Sequence, residues 1–229
     1  MSLFSRFLQA IPFECAICKR WPSASHEGVT GICQSCIESH AHAPLFPVPQ
    51  GLDDCAAAVD FDVPWSALIS RYKFAPEPGL ARLFTGLMRR DSHIRELLEG
   101  ADIVMPLPLA TERLEERGFN QALTLAKHLL VKNKIDASSL IRTRDTAPQR
   151  LLDREARQRN VSNAFALQAP SSKAYGSAVR SFEGKHILLI DDVMTTGATL
   201  AAAAQPLYRA GAARVSAVVI ARTPLAERP

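Results

Sequence analysis

Asp191 and Asp192 stand side by side and are followed, after Val193 and Met194, by Thr195-Thr-Gly-Ala-Thr199. The apolar run Ile187 to Ile190 before them reads as a buried strand, and Thr199 to Ala210 after them as a helix. The acidic pair is therefore expected just past the carboxyl end of a strand, where open α/β sheets bind ligands. At the start of the following helix several backbone N–H groups converge at the positive end of its dipole. Gly197 permits close approach or a positive φ, and the threonine hydroxyls add donors. A phosphate monoester fits such a turn. Two carboxylates beside it would repel a second phosphate but accept hydrogen bonds from vicinal sugar hydroxyls, so the combination suits a ribose 5-phosphate. The plainer alternative is that Asp and Thr only cap and turn the chain. A cap needs one such residue, whereas this turn holds two acids and three threonines. Neither Gly-x4-Gly-Lys-Ser/Thr nor a strand-linked Gly-x-Gly-x-x-Gly occurs in the chain.

A second constellation lies near the N-terminus. Cys15-x2-Cys18 is followed after 14 residues by Cys33-x2-Cys36, close to the spacing at which two knuckles close a tetrahedral zinc site. Two disulfides are the competing arrangement. They suit secreted proteins, and no secretion signal is read here, so metal is favoured. Four cysteine ligands leave no open coordination position, which makes the zinc structural, folding a segment too small to hold itself together. His26, between the knuckles, reads as a solvated loop residue, and Cys55 as a small buried side chain.

The elements that must position these groups follow from periodicity. The first eleven residues place Leu3, Phe4, Phe7, Leu8 and Ile11 at near-helical spacing and read as a short packing helix; a membrane-surface anchor is the weaker alternative, because the polar face has one basic residue. The proline-rich Ala43 to Gly51 reads as an extended linker between a module at 1–48 and a domain at 54–229. Within the latter, Ala57 to Phe61, Asp102 to Met105 and Val215 to Ala221 are expected strands, and Pro64 to Arg71 and Gly79 to Arg90 expected helices. Asn120 caps a further helix with Leu123, Leu125, Ala126, Leu129 and Leu130 as its inner stripe. The final strand, helix and strand make a unit of the kind that builds parallel sheets.

Composition bounds the rest. The 229 residues, 47% hydrophobic, bury one substantial core. No run of 18 or more apolar residues exists, so no membrane span is expected, and the expected compartment is the cytoplasm. A net charge of +4 suits phosphorylated ligands or nucleic acid but also many other enzymes.

Ile190-Asp-Asp-Val-Met-Thr-Thr-Gly-Ala-Thr199 resembles the phosphoribosyl pyrophosphate (PRPP) motif of type I phosphoribosyltransferases. With the four-cysteine knuckle, Tyr72-Lys-Phe74, Pro106-Leu-Pro108, Arg117-Gly-Phe-Asn-Gln121, and Arg154 with Asn160 and Phe165, the arrangement is similar to the ComF family of competence-associated, phosphoribosyltransferase-like proteins over nearly the whole chain.

The resemblance implies a parallel sheet flanked by helices, with a small N-terminal zinc module. It implies that Asp191 and Asp192 bind the ribose 2′ and 3′ hydroxyls, and that Thr195, Thr196, Gly197, Ala198 and Thr199 cradle the 5′-phosphate. Magnesium would arrive with PRPP, held by its diol and pyrophosphate oxygens and by water. Leu107, in Pro106-Leu-Pro108, falls where such folds keep a pyrophosphate loop. Cations near the leaving pyrophosphate are then sought in Arg113 and Arg117, in Lys73, and in the six arginines 142, 144, 150, 154, 157 and 159, where the family's catalytic loop is expected. Arg144, Arg154 and Lys73 are taken as catalytic and Arg117 as substrate-binding. Each has a plainer role: Arg113 and Arg117 could pair with Glu112, Glu115 and Glu116 on an exposed helix, the arginine run could simply be solvated, and Lys73 could snorkel over apolar surface.

Nothing in the sequence identifies the acceptor. Three classes stay open: an enzyme transferring a phosphoribosyl group from PRPP, a non-catalytic nucleotide sensor, and a DNA-uptake factor whose knuckle and arginines contact single-stranded DNA. The reading carried forward is a zinc-containing, PRPP-binding protein, a phosphoribosyltransferase serving DNA uptake or the use of imported DNA.

Overall fold

The computed structural model describes residues 13–21, 23, 28–74, 77–129, 134–143, 164–168 and 181–224. The helix expected over the first eleven residues, His26 and Leu130 lie outside them.

Among the described residues four strands form one parallel sheet: β1 (Asp54–Asp60), β2 (Ile103–Pro106), β5 (His186–Met194) and β6 (Arg214–Arg222), in the order β1-β6-β5-β2. A short antiparallel pair, β3 (Leu140–Arg142) and β4 (Phe165–Leu167), stands beside it. Between β1 and β2 run α2 (Trp65–Phe74), α3 (Pro78–Arg90) and α4 (Ser92–Gly100), preceded in the chain by α1 (Gln34–His40). After β2 come α5 (Thr111–Arg117) and α6 (Gln121–Leu129), and α7 (Ala198–Arg209) joins β5 to β6.

The strands are apolar along most of their length because both faces of the sheet are covered. Side chains alternate between two cores with the two-residue period of a strand. Leu188, Ile190, Val218 and Ile220 join Leu83, Phe84, Leu125 and Ala126 of α3 and α6 on one face. Ile187, Leu189, Ala217 and Val219 join Leu200, Ala203 and Leu207 of α7 on the other. Leu188 is fully buried, so truncating it to alanine would cost about 2–5 kcal/mol. The stripe of α6 differs slightly from the expected one: Ala122 is buried, and Leu123 is only half-buried.

The strand before the acidic pair is longer than its apolar run suggests. β5 continues through Met194, so Asp191 and Asp192 belong to it and pair along β6, with Asp191 opposite Val219. On its other side β2 stops at Pro106 opposite Ile190, and the Leu107 N–H donates to the Ile190 carbonyl at 2.9 Å before the chain turns away. Among the described residues one edge of β5 is thus unpaired at the acidic pair. The segment after β2 leads to α6 on one face of the sheet, and that after β5 leads to α7 on the other. Adjacent parallel strands that diverge in this way open a crevice at their carboxyl ends, the place where such sheets bind ligands.

The cysteine segment shares the first core. Cys15, Val29, Ile32, Cys33, Cys36 and Ile37 are buried in the same cluster as Tyr72, Leu80 and Phe84. Gly86 of α3 explains the close docking, since a Cβ there would stand 3.0 Å from Val29 Cα and 3.1 Å from the Gly28 oxygen. Residues 43–49 form neither helix nor strand, and Phe46 packs against the second core. The Arg222 guanidinium sits 4.8 Å from the centre of the Phe46 ring, and Pro49 packs onto Gly197.

Candidate functional site

The crevice between β2 and β5 is a cleft of about 390 Å³. Its walls include Asp191, Asp192, Val193, Thr195 and Thr199 from β5 and the turn into α7, and Leu107, Pro108 and Leu109 from the segment after β2. Lys73 of α2, Arg113 and Arg117 of α5, Asn120 and Gln121 at the start of α6, and Arg142 of β3 complete it.

Strand geometry sends the two adjacent carboxylates to opposite faces. Asp192 follows the parity of Leu188 and Ile190, and its Oδ2 lies 3.5 Å from Lys73 Nζ on that side. Asp191 follows Ile187 and Leu189, toward the face where β3 carries Arg142. The main chain already donates to both: Asp192 N–H to Asp191 Oδ1 at 2.8 Å and Val193 N–H to Asp192 Oδ1 at 2.7 Å. Burial, and then the neighbouring charge of Asp192, push the Asp191 carboxyl up to about 7. The Asp192 N–H, Lys73 and Arg142 act against that rise. Acids held this way retain free lone pairs toward the cleft and suit a neutral donor such as a hydroxyl pair.

The turn that follows is built around Gly197. Its φ of 78° is left-handed, and a Cβ there would fall 2.4 Å from Pro49 Cβ, so conformation and packing both exclude a side chain. Gly197 is also the residue before the first turn of α7, so that helix end has no capping side chain there. The contact from Ala198 N–H to Thr196 Oγ1 is long, at 3.4 Å. Thr195 and Thr196 are exposed, and Thr199 is half-buried at the cleft. Among the described residues the capping alternative is therefore poorly met, and the N–H groups of this helix end have the chemistry to hold an oxyanion.

Asn120 and Gln121 anchor the cationic wall of the cleft, which meets the acids where Lys73 reaches Asp192. Asn120 Oδ1 accepts from Leu123 N–H at 3.1 Å, the expected cap, and its Nδ2 donates to the Leu107 carbonyl at 2.9 Å. Arg117 does not pair with its neighbouring glutamates. Its guanidinium lies 5.7 Å from the centre of the Phe74 ring, its Nη1 donates to Gln121 Oε1 at 3.2 Å, and its buried Nε has no partner among the described residues.

Away from the cleft, the Sγ atoms of Cys15, Cys18, Cys33 and Cys36 all lie within 4.8 Å of one another. Cys18 and Cys33 are 3.6 Å apart, too far for a disulfide, while a tetrahedral site with 2.3 Å metal–sulfur bonds sets sulfurs about 3.8 Å apart. Burial works to raise the Cys15 thiol, but N–H groups of Cys33, Cys18 and Ile17 outweigh it and bring it down to about 6. Cys36 is pushed upward by burial and the surrounding sulfurs. The four cysteines are positioned to bind a metal ion, and no disulfide forms among the described residues.

The phosphoribosyl transferase domain matches residues 116–229. The chain is 30% identical to the DNA utilization protein YhgH of Escherichia coli O6:H1 (strain CFT073) over 234 residues, covering 93% of this chain and 98% of that one. The chain belongs to the ComF family. It is also 30% identical to Competence protein F of Haemophilus influenzae, over 69% of this chain and 68% of that protein. With Competence protein ComFC of Bacillus subtilis it shares 38% identity, over 53% and 45% respectively. The fold agrees, being a parallel sheet flanked by helices with a four-cysteine segment at its N-terminal side.

Of the residues singled out by sequence in this ComF-family chain, Lys73, Leu107, Arg117, Asp191, Asp192, Thr195 and Thr199 meet in one cleft, with Thr196, Gly197 and Ala198 in the adjoining turn. Arg144 and Arg154 lie outside the described residues. Arg142, passed over in favour of those two, lines the cleft beside Asp191. Gln121 carried no expectation at all, although it closes the quoted Arg117-Gly-Phe-Asn-Gln motif and is 1% exposed. No helix among the described residues is long and apolar enough to cross a membrane.

Proposed function

We propose that this protein binds PRPP in the cleft between β2 and β5 and transfers its phosphoribosyl group to an acceptor. In this reading Asp191 and Asp192 accept from the ribose hydroxyls, while the turn at Thr195 to Thr199 and the amides of α7 hold the 5′-phosphate. Attack of the acceptor at the anomeric carbon breaks the bond to pyrophosphate, which departs with the electron pair and leaves positive charge on the ring. Lys73, Arg113, Arg117 and Arg142 line the same cleft and meet the negative charge that moves outward. The observation that carries the reading is this convergence: two carboxylates, the turn into α7 and the cations Lys73, Arg113, Arg117 and Arg142 line one cleft.

Magnesium fits as an ion carried in by PRPP, since the acidic pair supplies two carboxylates, fewer than a self-sufficient cage; its chemistry is to neutralise the pyrophosphate. Zinc fits the four sulfurs, with Cys15, Cys18, Cys33 and Cys36 as ligands to a structural ion. We keep residues 1–48 and 54–229 as the two units of the chain. The relatives are named for DNA utilization and competence, and this chain is assigned a place in DNA uptake or the use of imported DNA, in the cytoplasm.

The test is thermal unfolding of zinc-loaded protein with magnesium and PRPP, against magnesium and ATP. A ligand at a hundred times its Kd stabilises by about 2.7 kcal/mol, which in a chain of this size raises Tm by roughly 5 to 11 °C. A shift specific to PRPP and lost in Asp191→Asn/Asp192→Asn supports the site. Release of pyrophosphate on adding candidate acceptors then separates turnover from sensing alone. No shift in well-folded protein overturns PRPP binding, and a salt titration with single-stranded DNA takes up the remaining class.

A further inference from the structure

Gln121 is 1% exposed and uses each end of its side chain on a different element. Its Nε2 donates to the Lys73 carbonyl at 2.9 Å, in the last turn of α2. Its Oε1 accepts from Arg117 Nη1 at 3.2 Å, at the end of α5. Its own main-chain carbonyl accepts from the Tyr72 hydroxyl at 3.1 Å. The amide orientation follows from chemistry, because a carbonyl only accepts and a guanidinium only donates. Among side chains of this length, glutamine alone serves both partners: ionised glutamate lacks the donor, and methionine lacks both. The Lys73 carbonyl is one of the acceptors a helix end leaves over, and Gln121 ties it to α6. Asn120, one residue earlier, fixes Leu107 in the same manner.

We propose that Gln121 is a positioning residue that sets Lys73 and Arg117 together on the cationic wall, where both meet the pyrophosphate of the bound substrate. The proposal rests on the PRPP reading above. Lys73 reaches Asp192 at 3.5 Å. Arg117 stacks on Phe74, the residue next to Lys73, and its buried Nε has no partner among the described residues. Without Gln121 neither backbone nor guanidinium has its anchor, and the two cations no longer hold one spacing.

The experiment measures the Kd of magnesium-PRPP by calorimetry on full-length, zinc-loaded protein. Gln121→Met is expected to weaken binding roughly tenfold or more, the scale of one lost hydrogen bond to a charged group. Gln121→Glu, which keeps the acceptor toward Arg117, is expected to lose less. In a Lys73→Ala/Arg117→Ala background the further change to Met is expected to cost under about twofold, because a residue acting through those two has nothing left to position. Zinc content and unfolding temperature check the fold of each variant. Should Gln121→Met fail to fold, Gln121→Glu carries the same comparison. Wild-type affinity in the folded variant, or an equal fold-loss in both backgrounds, would overturn the positioning role. Absence of PRPP binding by the wild type would remove the parent reading and the proposal with it, whereas a failure confined to the variants touches Gln121 alone.

Discussion

Lys73 Nζ stands 3.5 Å from Asp192 Oδ2, joining the end of α2 to the strand that carries the acidic pair. Both side chains are mostly buried, at 25% and 13% exposure, so the pair is screened less than a surface salt bridge. Lys73 also opposes the rise of the Asp191 carboxyl. One cation therefore acts on both acids.

Replacing Lys73 by methionine should keep its apolar packing and remove the charge. PRPP affinity is expected to fall tenfold or more, while unfolding shifts by no more than about 1–2 kcal/mol. Calorimetry and thermal unfolding on the same preparation check this. Loss of stability without loss of affinity would mean that the lysine is structural.

The acid form of Asp191 dominates below about pH 7, and only the carboxylate accepts from both hydroxyl positions. PRPP affinity should therefore rise as pH increases from 6 to 8, with its midpoint moved upward in Lys73→Met. The same raised value has the opposite sign for stability. The folded state binds a proton that the unfolded chain has released, so stability falls as pH rises from about 4 toward 7. Asp191→Asn should thus stabilise the unliganded protein at pH 8, on the order of 2 kcal/mol after allowance for partial exposure. That gain should shrink as pH drops toward 4. Unfolding curves at several pH values decide it.

Gly197→Ala combines a left-handed φ with a clash against Pro49. A cost of about 2–4 kcal/mol is expected, lowering Tm by roughly 5–15 °C, together with weakened PRPP binding because the turn and the helix end move. Ala198→Gly, at the next residue, whose own φ is not left-handed, is the neighbouring control. Denaturant unfolding of the two variants provides the comparison.

Cys33→Ser, or a strong chelator, should lower the stability of the whole chain instead of melting the knuckle alone. The reason is that Ile32, Cys33, Cys36 and Ile37 share one buried cluster with Tyr72, Leu80 and Phe84. Zinc content by mass spectrometry, read beside unfolding followed by two probes, tests this; a separate early transition would contradict it.

The sequence alone was enough for whatever is written in consecutive residues. The acid pair, the threonine-rich turn and Gly197 occupy nine positions, and the paired cysteines announce themselves by spacing. An apolar run entering a glycine turn and then a helical stripe can form little else than strand, turn and helix, because backbone geometry and burial act locally. The same logic found the cap at Asn120, and it underestimated β5. Two aspartates look like the end of an apolar strand, yet they stay in the ladder because β6 continues to pair with them while β2 has already stopped.

Which cations face those acids is decided only by packing. Lys73, Arg117 and Arg142 come from α2, α5 and β3, between about 50 and 120 residues away from Asp191 along the chain. A charged side chain in a solvated helix or loop satisfies local rules equally well wherever it points, so nothing in its neighbours separates Arg142 from Arg144. The docking of Pro49 on Gly197 and the buried bridge at Gln121 are likewise long-range. Tertiary contact chose them because the donors and acceptors that satisfy a buried polar group become its neighbours only once the two faces of the sheet are covered.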